Sequence, residues 1–123
     1  MGQMSDRQLT VGQLIRALER LDAGKSIKFD FVNFKPAGLG SYRGYYEDLA
    51  IRYRDAGAPT VGDLLGWLKD QSGNLMDGYH GGQYRVTDQT AIWVANASET
   101  GGTAVVDVVD DGWCVVLKTD SVD

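Results

Sequence analysis

The chain has little of what most catalytic and metal sites are built from, because its 123 residues include one histidine and one cysteine. A single cysteine excludes an internal disulfide, and Cys114 lies in an apolar run, which indicates an inert core thiol in a reducing compartment. No HxxxH or CxxC pair and no EF-hand spacing occurs, so no metal site is predicted. A catalytic triad would need His80 to meet a serine and an aspartate, and no nucleophile elbow is present. We expect a protein that is not an enzyme and uses no cofactor, with a hydrolase built on His80 as the catalytic alternative.

Long hydrophobic runs and basic clusters are also missing. No apolar stretch approaches the roughly 20 residues that a membrane-spanning helix needs, and the N-terminus has no signal-peptide pattern. We therefore expect a cytoplasmic protein with no membrane partner. The net charge is −5, and residues 84–123 carry only Arg85 and Lys118 against seven acidic residues. Because non-specific nucleic-acid binding needs clustered lysine and arginine, we expect no binding to bulk nucleic acid.

Two segments open in the same way, "TVGQLIRALERL" from Thr10 and "TVGDLLGWLKDQ" from Thr60. In each, a threonine is followed three positions later by Gln or Asp, which is close to a capping box. The apolar residues that follow have the spacing of one buried helical stripe. The pattern predicts two helices that end near Gly24 and Gly73. The match stops with the helices, so we favour shared capping chemistry over an ancient duplication.

The rest of the chain predicts strands. "SIKFDF" and "EDLAIRY" alternate apolar and polar residues, and "TAIWVAN" is a short β-rich run. In "TAVVDVVDDGWCVVLKT" two β-branched runs flank Asp111-Gly112, a favoured hairpin turn. The glycine-rich segments 37–44, 77–83 and 98–102 are predicted to be loops.

These elements predict one α+β domain over residues 1–123, with residues 1–8 flexible. We expect an antiparallel sheet of about five strands with two helices packed on one face. The valine-rich hairpin could pair with a second copy along its edge, so a homo-oligomer is predicted.

Two segments combine tyrosine, arginine and glycine in a way that favours ligand binding. In "SYRGYYEDLA" a tight turn at Gly44 can bring tyrosines and Arg43 into one pocket. Tyrosine faces stack on bases, and arginine binds phosphate through two parallel hydrogen bonds. "DGYHGGQYR" repeats the combination, and its glycine-rich amides can bind an anion, although it matches neither the P-loop nor GxGxxG. The predicted ligand-binding residues are Ser41, Tyr42, Arg43, Tyr45, Tyr46, Tyr79, His80, Tyr84 and Arg85.

Each of these segments also has a purely structural interpretation. Tyr46 could head a strand and pack in the core while Arg43 is solvated or paired with an acid. "DGYHGGQYR" could be a flexible hairpin loop. Whether the two segments form one pocket is left open by the sequence.

Three elements occur together: "TVGQLIRAL" before a short strand, "SYRGYYEDLA", and "GYHGGQY" before "AIWVANASETGGTAV". This combination resembles a group of small proteins encoded by tailed bacteriophages, especially those of actinobacteria. The resemblance covers nearly the whole chain, and "SYRGYYEDLA" is its most specific part. The group has no assigned activity, so it implies no catalytic residues. It implies a small accessory protein in the host cytoplasm, where such proteins often act on host defence or host metabolism.

The sequence thus predicts a phage-type, non-enzymatic protein that sequesters a small phosphorylated, nucleotide-derived ligand, as an anti-defence sponge for a host immune signal. Its tyrosines would stack on the base while Arg43 and Arg85 hold phosphate. The alternative is an inhibitor or adaptor that docks on a basic surface of a host protein. It would use the acidic C-terminal half, including Asp107, Asp110, Asp111 and Asp120.

Overall fold

Two helices and eight strands form the part of the chain that a computed structural model describes, which is residues 8–30, 34–41, 49–77, 83–94 and 102–122. Their order along the chain mixes the two types, so the helices and strands belong to an α+β architecture. The elements are α1 (Val11–Glu19), β1 (Ser26–Phe29), β2 (Lys35–Ser41), β3 (Leu49–Arg54), α2 (Val61–Gln71), β4 (Leu75–Asp77), β5 (Gln83–Arg85), β6 (Ile92–Val94), β7 (Gly102–Asp110) and β8 (Cys114–Val122).

Six strands form one sheet in the order β1-β8-β7-β6-β3-β2, and β4 and β5 form a separate two-stranded sheet. The β1–β8 and β3–β6 pairs are parallel, and the other pairs are antiparallel. The backbone N–H of Phe29 donates to the carbonyl of Phe34 at 2.9 Å, so the two outer strands approach each other and the sheet is nearly closed. The predicted α+β class is confirmed. The sheet has six strands rather than about five, and it is mixed because two pairings are parallel.

One continuous core lies between the two helices and one face of this sheet, which we call the inner face. Leu14 and Leu18 of α1 pack there with Leu64 and Leu68 of α2 and with Phe29, and all five are fully buried. Burying an apolar side chain of this size stabilises the fold by roughly 1.5–3 kcal/mol. The helical stripes predicted from the sequence are therefore the surfaces that hold the helices against the sheet.

The first turn of α1 has a partner for each of its free amides. Thr10 Oγ1 accepts a hydrogen bond from the N–H of Gln13 at 3.3 Å, and the Gln13 side chain accepts one from the N–H of Thr10 at 3.0 Å. The next two amides, of Val11 and Gly12, donate to the carbonyls of Thr90 and Asp88 at 2.8 and 3.0 Å. The predicted capping box is confirmed, and the connection between β5 and β6 supplies the acceptors for the two remaining amides.

Helix α2 begins in the same way. Thr60 and Asp63 form the capping box, with distances of 3.2 and 2.9 Å. The amides of Val61 and Gly62 donate to the carbonyls of Lys25 and Ala23, both at 2.9 Å. Each "TVG" glycine therefore lies where a loop carbonyl approaches the helix closely. A Cβ at Gly12 would be 2.9 Å from Asp88 Cβ, and one at Gly62 would be 3.2 Å from the Ala23 oxygen.

The ends of the helices agree only in part with the sequence prediction. Helix α2 is capped by Ser72, and Gly73 follows with a positive φ of 84°, as predicted. Helix α1 already ends at Glu19, with Arg20 as its C-cap, well before Gly24.

No helix among the described residues is both long and apolar enough to cross a membrane.

Two predicted loops are partly strands. Residues 37–44 were predicted to be a loop, but Lys35–Ser41 form β2 and pair with β3, with a register shift between Pro36 and Gly38. Within 77–83, Asp77 ends β4 and Gln83 begins β5. Glycine lowers local strand propensity, and here the pairing partner overrides it.

The β7–β8 hairpin is confirmed, and its position changes the argument for self-association. Gly112 lies in the turn with a φ of 98°, as the Asp111-Gly112 dipeptide predicts. Strand β7 lies between β8 and β6, and β8 lies between β1 and β7, so the hairpin is not at the edge of the sheet. The homo-oligomer stays a prediction, and pairing through this hairpin's edge does not support it.

Residues 1–7, which were predicted to be flexible together with Gln8, lie outside the described residues. Gln8 itself is buried, and its Nε2 donates to the carbonyl of Ile92 at 2.9 Å. Leu9 then bridges two strands, because its N–H donates to Val105 and its carbonyl accepts from Ile92. The chain is thus fixed in the fold at Gln8 and Leu9, so the prediction that Gln8 is flexible is wrong.

Candidate ligand-binding site

Most of the predicted ligand-binding residues lie outside the described part of the chain: Tyr42, Arg43, Tyr45, Tyr46, Tyr79 and His80. Of the other three, Ser41 is the last residue of β2, whereas Tyr84 and Arg85 belong to β5. The two segments are therefore anchored in different sheets. The described residues do not decide whether the two segments form one pocket, a question that the sequence also left open.

The residues on either side of the tyrosine-rich segment are paired with each other in the sheet. Ser41 pairs with Leu49, and Gly40 pairs with Ala50, in the antiparallel β2–β3 hairpin. Residues 42–48 therefore connect these two strands. Leu49 is held on its other side as well, because it pairs with Ile92 and its N–H donates to the Ala91 carbonyl. This register gives the predicted binding segment two rigid ends.

The face of the six-stranded sheet opposite the helices, which we call the outer face, has a small core of its own. The register places Gly40, Ala50, Trp93 and Ala104 in one row across four strands. Ala50, Trp93 and Ala104 form a second buried cluster, against which Val106 packs. Trp93 is only 6% exposed, so it is part of this cluster and is not an open stacking surface.

Arg52 lies at the end of this row, over Gly40. A Cβ at Gly40 would be 2.8 Å from Arg52 Nε and 3.0 Å from Nη2, so the guanidinium occupies the space that a side chain would fill. Arg52 pairs with Gly38 in the ladder, so its side chain leans along β2 towards Ser41. Among the described residues, Arg52 forms no hydrogen bond or ion pair. It is an exposed cation turned towards the end of the hairpin that residues 42–48 connect.

The sequence reasoning missed Arg52. The alternation in "EDLAIRY" places Arg52 on the face opposite Ile51, and this was the only available signal. Nothing local relates Arg52 to Gly40, because β2 was predicted to be a loop. The contact became visible only when the two strands were paired.

Arg85, the one predicted site residue whose side chain is described, supports the two-stranded sheet. It pairs with Leu75, and its Nη1 donates a hydrogen bond to the carbonyl of Gly73, in the turn after α2. The side chain is exposed. A guanidinium has five N–H donors, so this bond leaves most of them available to a ligand.

The two helix starts do not provide an anion site. A helix N-terminus binds anions through amides that lack an intrahelical partner. In both helices these amides already donate to the capping threonine or to loop carbonyls, and Gln13 or Asp63 accepts from the N-cap amide. An anionic ligand would therefore have to be held by arginine or lysine side chains or by loop amides.

The acidic residues at the β7–β8 turn accept hydrogen bonds that stabilise the turn. Both carboxylate oxygens of Asp110 accept from Lys25 Nζ at 2.8 Å, and one also accepts from the Gly112 N–H at 2.9 Å. The Lys25 hydrogen bond, followed by the Gly112 amide, holds the pKa of Asp110 below its ordinary value. Trp113, which this turn carries, is 91% exposed.

Asp111 accepts from the amides of Cys114 and Trp113 at 2.8 and 2.9 Å, and these two bonds lower its pKa. Cys114 is the first residue of β8 and is half-buried, so the prediction that its thiol lies in the core is wrong. Burial, followed by the charge of Asp111, raises the pKa of the thiol. A protonated thiol is a poor nucleophile. Among the described residues, no group of His, Cys, Asp or Glu is arranged to hold a metal ion.

No protein-family model, curated protein or solved structure matches the chain. The resemblance to small bacteriophage proteins therefore stays a prediction from the quoted motifs.

Proposed function

We propose that the chain binds a small phosphorylated, nucleotide-derived ligand at the end of the β2–β3 hairpin and that it catalyses no reaction. The observation that carries this proposal is the Ser41–Leu49 pairing. It makes the segment that contains Tyr42, Arg43 and Tyr45 a connection with both ends fixed in the sheet. Fixed ends reduce the conformational freedom that a binding loop loses when it closes on a ligand.

The ligand class follows from the residue types in this connection. Tyrosine rings stack on bases of any sequence, and arginine forms paired hydrogen bonds with phosphate. Both helix starts are already capped, which leaves side-chain cations and loop amides as phosphate donors. The combination favours a ligand with both a base and a phosphate.

Capture without chemistry is what a sponge for a signalling nucleotide requires. The resemblance to small bacteriophage proteins supplies the setting, in which the ligand is a host immune signal and the protein acts in the host cytoplasm. In this proposal Arg85 and the "GYHGGQY" segment contribute from the two-stranded sheet. Self-association would let two copies share one ligand.

The test is native mass spectrometry of the purified chain after incubation with a small-molecule extract of phage-infected cells. We expect a phosphorylated nucleotide to be retained in a fixed ratio to the chain and released on denaturation. Arg43→Ala should lose it, whereas Arg16→Ala, an exposed arginine on α1, should retain it. If the native chain retains no phosphorylated compound, or if Arg43→Ala retains as much as the native chain, the proposed function or its site is wrong.

A second function, docking on another protein through the β7–β8 turn, is favoured by Trp113. Its indole is 91% exposed, yet its backbone is held by a hydrogen bond to Asp111. Rigidly presented tryptophans are frequent anchors of protein interfaces. Because Lys25 neutralises Asp110, this apolar anchor is a better candidate for the contact than the acidic charge alone.

The docking function is tested by measuring the affinity of a purified partner, first isolated by capture on the native chain. Trp113→Ala should weaken binding by a factor of 30 or more, in the range of interface hot spots of about 2 kcal/mol. Leu75→Ala is the control, because Leu75 is also exposed, at 51%, but lies in the other sheet. Equal affinity of native chain and Trp113→Ala would exclude the turn as the docking surface. Charge reversal at Asp111 is less informative, since it would also open the turn.

A further inference from the structure

We infer that Arg52 is a phosphate-binding residue of the β2–β3 site and that Gly40 leaves the space in which its guanidinium lies. The inference rests on the proposed function. It adds a residue that the tyrosine-rich segment does not contain, and it locates the ligand's phosphate on the outer face of the hairpin.

The position of the guanidinium is the first argument. The ladder partner of Arg52 is Gly38, but its Nε and Nη2 lie over Gly40, one step nearer to Ser41 on the same face of β2. The side chain thus points towards the end of the hairpin where residues 42–48 join the strands.

The second argument is that Arg52 has no partner among the residues that the structure describes. Lys25, a cation in the connection before β1, is paired with Asp110 at 2.8 Å. Arg52 forms no ion pair or hydrogen bond with any residue that the structure describes. Its donors therefore remain available to form the paired hydrogen bonds by which guanidinium recognises phosphate.

Gly40 supplies the third argument, because it allows the guanidinium to lie flat on the strand. With alanine at this position, the Cβ would be 2.8 Å from Nε and 3.0 Å from Nη2, closer than real Cβ contacts. The guanidinium would have to move away from the sheet.

Arg54 provides a matched control within the same strand. It is exposed, it follows Arg52 on the same face, and it pairs with Lys35, further from Ser41. The two arginines share strand, charge and exposure. They differ in their distance from the end of the hairpin and in the glycine beneath the guanidinium.

The experiment follows the side-chain Nε–Hε signals of both arginines by NMR during titration of the native chain with inorganic pyrophosphate. We expect the Arg52 signal to shift saturably and the Arg54 signal to shift little. No Arg52 shift, or equal shifts at both arginines, would overturn the inference. Equal shifts would mean that pyrophosphate is attracted by the overall positive charge of β3 and does not bind Arg52 specifically.

Affinity measurements with the nucleotide identified by mass spectrometry separate this inference from the proposed function. Arg52→Ala should weaken binding about 10- to 100-fold, the range for hydrogen bonds to a charged group. Arg52→Lys should recover only part of that loss, because lysine cannot form the paired bonds. Gly40→Ala should also weaken binding. Arg54→Ala should change the affinity by less than about twofold, which corresponds to a negligible difference in binding free energy. A nucleotide that binds the Arg52→Ala variant as tightly as the native chain would refute the role of Arg52 and leave the proposed function standing, whereas a chain that retains no nucleotide refutes both.

Discussion

Two helical glycines provide the sharpest stability test of this fold, because alanine should have opposite effects at them. Gly66 lies in the middle of α2, is exposed, and a Cβ there would meet nothing within 4 Å. Gly12 lies in the first turn of α1 and is buried. A Cβ there would be 2.9 Å from Asp88 Cβ and 3.2 Å from the Asp88 carbonyl oxygen. These atoms belong to or adjoin the backbone, so they cannot rotate away.

The magnitudes follow from helix propensity and packing. Gly66→Ala should stabilise the protein by about 0.8–1.0 kcal/mol, the difference in propensity between glycine and alanine. Gly12→Ala meets an overpacking cost of roughly 1–3 kcal/mol, which exceeds that gain. It also strains the hydrogen bond from the Gly12 amide to Asp88. We expect Gly12→Ala to be destabilised by up to about 2 kcal/mol, the part of the overpacking cost that propensity does not offset.

Urea unfolding followed by far-UV circular dichroism measures both variants. The two midpoints should move in opposite directions with unchanged slope, since neither change alters the surface exposed on unfolding. In thermal unfolding the midpoints of the two variants should differ by up to roughly 10 °C, given a few degrees per kcal/mol for a chain of this size. If Gly12→Ala is as stabilising as Gly66→Ala, then α1 is not packed closely on the connection before β6, and our account of the "TVG" motif fails.

Three further predictions concern the caps and the β7–β8 turn. Thr60→Ala should destabilise the protein by about 1 kcal/mol, a typical N-cap loss, and Thr60→Ser should restore most of it in the same urea assay. Lys25 lowers the pKa of Asp110, so the stabilisation from this ion pair is present above the ordinary aspartate pKa and is lost as the pH falls through the lowered pKa. The urea midpoint of Asp110→Asn should therefore drop less on acidification than that of the native chain. Equal drops would contradict this. Since burial and Asp111 raise the pKa of Cys114, iodoacetamide should alkylate it more slowly than a free thiol at neutral pH, and Asp111→Asn should shift the pH–rate profile to lower pH; an unshifted profile would exclude the contribution of Asp111.

The local starts and turns of the fold were predictable because their chemistry is contained within a few residues. A threonine followed three positions later by Gln13 or Asp63 forms the same reciprocal pair wherever a helix begins. Asp111-Gly112 favours a tight turn through its own backbone preferences. Alternation likewise placed β1, β3 and the β7–β8 hairpin close to their observed bounds.

The failures have a common physical origin in pairing partners that are distant in sequence. Strand β2 contains Pro36, Gly38 and Gly40, a composition typical of a loop, and it becomes a strand because β3 pairs with it. The parallel pairs β1–β8 and β3–β6 bring together segments with many residues between them. No local pattern contains that information.

For the candidate site, the sequence by itself determined which residues could recognise a base and a phosphate, because stacking and paired hydrogen bonds are properties of the side chains. It also determined where each helix begins, because capping is local. Only the tertiary structure decided that Ser41 and Leu49 fix both ends of the tyrosine-rich segment and that the helix starts are closed to anions. It alone brought Arg52 over Gly40, because that contact exists only between two paired strands.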